Sequence, residues 1–232
     1  MADSQPVTSR CATSHSPSAA PTAEGQRSRY LETRNKALEL FAMRGFSQVS
    51  MRDLATYIGI NAGSLYNHID SKEGLLFELI EELYEQLLHG ARLVNRRKPA
   101  PDVRLHSLLE THLLLHERMG AHFRLAEYDL RNLSSEQHAS ILTLRRRYEE
   151  HFVESIEQLT GEPANAIRRA ALSSIISLLN QLPAWIEEPQ SSRKIRRKVQ
   201  HDMVMSTLHG ALEATHRSQF STADSSPRVS RT

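Results

Sequence analysis

The sequence predicts an all-α protein, and three observations predict it. Apolar residues recur three and four apart over most of residues 28–217, the period of a helix with one buried face. The 232 residues hold only nine glycines and nine prolines, too few for the frequent turns of an all-β fold. Helix-start signals (Ser, Asp or Asn) and helix-stop signals (Gly or Pro) bracket several of the apolar stripes. A chain of this length can bury a sizeable core and hold one large or two small domains.

Residues 1–26 come first and are dominated by Ser, Thr, Pro, Ala and Gly, with only Met1 and Val7 as sizeable apolar side chains. Burial cannot offset the ordering entropy of such a segment, so it reads as a disordered tail. It is either a trailing tail or an arm that supplements contact with a nucleic acid through Arg10, Arg27 or Arg29, the last two at the start of the first helix. The single cysteine, Cys11, has no partner for an internal disulfide, which fits a reducing, cytoplasmic compartment. No apolar run approaches the ~20 residues that cross a bilayer, and the N-terminus lacks the apolar core of a secretory signal.

A first helix is predicted from about Ser28 to Arg44, with Leu31, Ala37, Leu38, Phe41 and Ala42 on one face and Gly45 as its stop. Ser50, followed three residues later by Asp53, forms a capping-box pattern opening a second helix whose buried face is Leu54, Ala55 and Ile58. Gly59 ends it and Asn61 caps a third helix that carries Leu65 and Ile69. Two short helices and a tight turn make a helix-turn-helix. Between Arg27 and Lys72 stand seven Lys and Arg against four Asp and Glu, although the whole chain carries only +2. That local excess suits the phosphates of a nucleic acid. Ser50 and the amides beside it suit a phosphate oxygen, and Arg52 reaches a phosphate or a guanine edge. Ala62 and Gly63 permit close approach to a groove, and Ser64 and Asn67 are candidate base readers.

These residues also carry a family resemblance. Ser-x-Arg-Asp-Leu-Ala, then Gly-Ile-x-x-Gly-Ser-Leu-Tyr-x-His, then Ser-Lys-Glu-Gly-Leu-Leu, over roughly residues 28–80, resembles the tetracycline-repressor (TetR) family of bacterial regulators. The resemblance implies that Tyr66, His68 and Lys72 clamp the DNA backbone, with Tyr30 and Arg34 near it. It also implies that the helix from Lys72 to about Leu93 links the reading head to a second domain. The first domain is thus assigned to residues 27–94, with a basic, Pro-rich hinge at Arg92–Pro101.

Residues 95–217 read as a second domain of five helices, at about 103–119, 122–131, 135–160, 164–186 and 191–216, and residues 218–232 as a disordered tail. The last two helices are apolar over much of their circumference, through Ile175, Leu179 and Leu182 on one and Ile195, Val199 and Met203 on the other. Such helices need cover on more than one side. The resemblance implies that they pair with their copies in a homodimer. The basic runs Arg145–Arg147 and Arg193–Lys198 point in several directions on a helix and read as solvated faces.

For a small-molecule effector the candidate residues are His112, His116, Phe123, Arg124, Tyr128, Arg146, Ile176 and Trp185. Around Phe123–Ser134, Arg145–Phe152 and Leu182–Trp185 the chain loosely resembles TetR regulators that sense CoA thioesters, which implies an acyl-CoA or a related apolar carboxylate. His112 and His116 also have the i, i+4 spacing of a metal pair, which leaves a metal-responsive regulator as the alternative. A third reading is a dimeric helical adaptor without DNA binding. The sequence shows no phosphate-binding Gly loop, paired carboxylates or nucleophile elbow, so it reads as no enzyme, and nothing in it implies a cofactor. The expected partners are a palindromic double-stranded DNA operator, a small molecule and a second copy of the chain, with no membrane.

Overall fold

The computed structural model describes residues 23–66, 69–185 and 191–223. Among them every regular element is helical: α1 (Ala23–Arg44), α2 (Met51–Ile58), α3 (Ala62–Tyr66), α4 (Lys72–Arg96), α5 (Pro101–Tyr128), α6 (Ser135–Thr160), α7 (Ala166–Trp185) and α8 (Arg193–Ala223). Two 3₁₀ turns, Phe46–Gln48 and Leu130–Asn132, follow α1 and α5.

Helices α1–α3 close on a core of Leu40, Phe41, Leu54 and Leu65, none of them exposed. Each fully buried side chain of this size contributes roughly 1.5–3 kcal/mol over leaving it in water. The same core continues into α4 through Leu75, Leu76, Leu79 and Ile80. Helix α4 then packs on α5 and α6, and α7 pairs with α8.

Several boundaries differ from the sequence reading. Helix α1 begins at Ala23, inside the segment read as tail, with Glu24 in its first turn where a carboxylate suits the helix dipole. The rest of that expected tail lies outside the described residues. Helix α4 runs past the expected domain boundary to Arg96. The two helices expected on either side of Gly120 form one element bent at Met119, which has φ −123° and ψ 27°. Its last expected turn is a 3₁₀ turn instead. Helix α8 continues to Ala223, and only residues 224–232 of the expected C-terminal tail lie outside the description.

Helix α4 approaches α5 closely at Gly90. A Cβ there would lie 2.7 Å from Thr111 Cγ2. Thr111 cannot rotate away freely, because its hydroxyl donates to Ser107 O at 2.7 Å. Gly90→Ala is therefore expected to destabilise the protein by about 1–3 kcal/mol through overpacking, offset in part by the ~1 kcal/mol better helix propensity of alanine. Urea unfolding measures it, and a higher midpoint would show that α4 and α5 have room to part.

Candidate nucleic-acid interface and small-molecule cavity

The helix-turn-helix is built by its caps. Ser50 Oγ accepts the Asp53 N–H at 3.1 Å while Asp53 Oδ2 accepts the Ser50 N–H at 2.9 Å. Those bonds from the Ser50 side chain and backbone hold the Asp53 carboxyl below the usual range, so it stays ionised at the positive end of α2. Gly59 closes α2 with φ 86°, a left-handed conformation that costs other residues about 1–2 kcal/mol. Asn61 Oδ1 accepts the Ser64 N–H at 2.7 Å and starts α3. Fully buried Leu65 anchors that helix.

This arrangement leaves Ser50, Arg52, Gly63 and Tyr66 exposed and Ala62 and Ser64 half-buried. Tyr66 is 55% exposed at the end of α3. Asn67 and His68 lie outside the described residues. Three expected phosphate contacts are otherwise employed. The Lys72 ammonium turns inward, donating to Val49 O at 2.9 Å and Phe46 O at 3.1 Å, 4.0 Å from the Phe46 ring centre. Tyr30 donates to Glu78 of α4. Arg34 donates to Glu82 of α4 at 2.6 Å. Each bonds a carboxylate or carbonyl of the chain, which ties α1 and the turn after it to α4.

Glu82 also meets His122 of α5, whose Nε2 lies 3.3 Å away. Burial pushes the His122 pKa down, with Glu82 opposing and Arg34 adding to the shift. One carboxylate thus ties α1 of the head to the bent end of α5.

Between α5, α7 and α8 lies a cavity of about 750 Å³, within the usual range for drug-sized ligands. Of the expected ligand residues, His116, Phe123, Arg124 and Tyr128 line it. Arg193 and Arg196 add cationic groups, and Ala42 of α1 forms part of the wall. Two carboxylates in the wall are engaged: Glu117 with Arg197 at 2.9 Å, and Glu127 with the Asn180 amide at 2.6 Å. The Asn180 amide carries no charge and leaves that of Glu127 uncancelled, so three arginines against two carboxylates leave the wall a small cationic excess.

Other expected ligand residues lie elsewhere. His112 is fully buried in the core, its Nδ1 3.0 Å from Tyr148 Oη, because an apolar helix face carries it inward. Ile176 is likewise core, 3% exposed. Arg146 is exposed and donates to Thr143. The side chain of Trp185 lies outside the described residues. His116 Nε2 donates to Asn180 O at 2.9 Å, so the two histidines of the metal pattern bond in separate directions. No group of three or more His, Cys, Asp or Glu among the described residues could hold a metal ion. Sequence reading missed Gln200, which lines the cavity and is 6% exposed. A lone amide in a polar stretch gives no periodic signal.

Comparison with known proteins follows the same division into head and body. Residues 34–79 match the family model for bacterial regulatory proteins of the tetR family, and residues 98–199 match a tetracyclin repressor-like C-terminal domain. The HTH-type transcriptional repressor KstR2 of Rhodococcus jostii (strain RHA1) is 38% identical over 71 residues, 31% of this chain and 35% of that protein. The match thus spans about a third of that relative's length. A regulatory protein of the tetR family from Rhodococcus RHA1 has a similar structure, with a TM-score of 0.69 and 26% identity over 78% of this chain and 95% of that one. The structure of AibR in complex with isovaleryl coenzyme A and operator DNA gives a TM-score of 0.62 at 21% identity, over 75% of this chain and 97% of that one. A capped helix-turn-helix matched by one family model, and a helical body matched by its companion, place this chain in the TetR family of bacterial regulatory proteins.

Proposed function

We propose that the chain is a homodimeric DNA-binding repressor, released from a palindromic operator by an anionic small molecule such as an acyl-CoA or related apolar carboxylate. One observation carries this reading: the segment of α5 after the bend serves both sites. Its Phe123, Arg124 and Tyr128 line the cavity, and its His122 meets the Glu82 that holds Arg34 of the head. A ligand that fits the cavity better in one orientation of this segment shifts the head with it, and only such differential affinity can move the equilibrium.

Arg124, Arg193 and Arg196 provide cationic contacts for a carboxylate or phosphates, and Phe123 provides an apolar surface. The R. jostii relative is named a repressor, and the AibR complex contains a CoA thioester and operator DNA, which supports the class. Dimerisation has support in α7 and α8, which leave Ile167, Ile195, Val199 and Met203 between 44% and 61% exposed in the single chain. Two copies would then meet successive major grooves.

The test begins with a mobility-shift assay on DNA selected from a randomised pool. Acyl-CoAs, free CoA, fatty acids and aromatic acids are then screened for release and for a rise in melting temperature. At least one anionic acid or thioester is expected to do both, and Arg124→Ala to weaken both. Failure to select DNA would favour the adaptor reading, and a rise with zinc that His116→Ala abolishes would favour the metal reading.

A further inference from the structure

The turn between α1 and α2 is short, and its own hydrogen bonds are few. Gln48 N–H donates to Gly45 O and Val49 N–H to Phe46 O, each at 3.2 Å. Directly after it stands Ser50, the cap of α2, so the path of this turn sets the entry angle of the helix-turn-helix. Side chains from outside α1–α3 hold it, among them Asp129, whose carboxyl accepts a backbone hydrogen bond from Phe46.

Lys72, at the start of α4, donates to the Phe46 and Val49 carbonyls on either side of the turn. Asn132, after the end of α5, accepts the Ser47 hydroxyl at 3.2 Å through Oδ1, while its Nδ2 donates to Asp129 O at 3.1 Å. The Asn132 amide therefore bridges the head to the last turn of α5, with both of its polar atoms used. Asp129, itself 9% exposed, stands at the C-cap of the helix whose preceding turn offers Arg124 and Tyr128 to the cavity.

We infer that Lys72 and Asn132 clasp the α1–α2 turn and act as positioning residues, setting the angle of the reading head and with it the half-site spacing the dimer accepts. The inference deepens the operator reading and rests on it for its DNA readout. It assigns the half-buried Lys72 ammonium to the turn carbonyls, and gives Asn132 a role in operator choice although it belongs to the second domain.

Full-length protein, Lys72→Met, Asn132→Ala and Ser47→Ala are compared on the palindrome selected by the wild type and on versions with the half-sites one base pair closer or further apart. All three variants are expected to lose discrimination between spacings. The slope of log affinity against log salt is expected to stay at the wild-type value, because no phosphate contact is removed. Amide exchange at Gln48 and Val49 in the DNA-free protein is expected to speed up. Ser47→Ala, at an exposed site, keeps the test open if Lys72→Met fails to fold.

A slope reduced by about one for each Lys72 removed would make that residue a phosphate contact and overturn its positioning role. Unchanged spacing preference and unchanged exchange in Asn132→Ala would overturn the clasp. If the wild type selects no DNA, the operator reading fails, and exchange in the free protein still decides the clasp.

Discussion

Operator affinity is expected to fall about a thousandfold between 50 and 200 mM salt, with a log–log slope near −5. The number comes from counting cations that remain available to phosphates. Of the seven Lys and Arg of the head, Arg27, Arg29 and Arg52 are exposed. Arg44 faces the Asp53 carboxylate, Lys36 is paired with Glu32 at 3.0 Å, and Lys72 and Arg34 bond within the chain. Three cations on each head of a dimer make six, and each phosphate neutralised adds about −0.9 to the slope. Counting Lys72 and Arg34 as contacts would give ten cations and a slope near −9. The salt titration therefore separates the two assignments. Arg52→Ala should reduce the slope by about two for the dimer if it meets phosphates, and leave the slope unchanged but relax base preference if it reads guanine. A slope near zero would remove the electrostatic basis of the interface altogether.

That count depends on something the sequence could not carry. A lysine or arginine on a basic surface has the same residue type whether it meets a phosphate or an internal acceptor. Arg34 finds its carboxylate on α4, and Lys72 finds its carbonyls in the turn after α1, so only the packing of distant segments assigns them. Local signals were legible: Ser50, Asp53, Gly59 and Asn61 form the caps their types imply, and α6 spans Ser135–Thr160 as its stop at Gly161 predicts. The start of α1 was not, because a composition dominated by Ser, Thr and Pro obscured the few helix-forming residues at its end. The cavity was half legible. Helical spacing put His112 and His116 on one face, but depth separates them: Tyr148 of α6 meets His112 in the core while His116 reaches the cavity wall. Apolar residues such as Ile176 suit a core and a ligand wall equally well, so type alone could not divide them.

Acid is expected to destabilise this fold before its carboxylates titrate, and His112 is the main reason. Burial pushes its pKa down to about 3, with nearby His116 adding to the shift. The unfolded chain, with imidazoles near 6.5, binds more protons than the native state below that pH. Stability contributed by the neutral imidazole is therefore intact above pH ~6.5 and is lost as pH falls toward ~3, by up to about 1.4 kcal/mol per unit. His116, His122 and His151 are also pushed down, each chiefly by burial, and steepen the loss in the same direction. Replacing His112 with glutamine keeps a polar group beside the Tyr148 hydroxyl and removes the titration. Urea unfolding at equal protein concentration, at pH 7.5 and 5.0, should show the wild type losing about 2 kcal/mol more than His112→Gln. Parallel losses in the two proteins would mean that His112 is hydrated or protonated in the native state. The surplus loss, if found, means that a histidine placed by helical spacing on the same face as a cavity residue serves the fold and not the ligand.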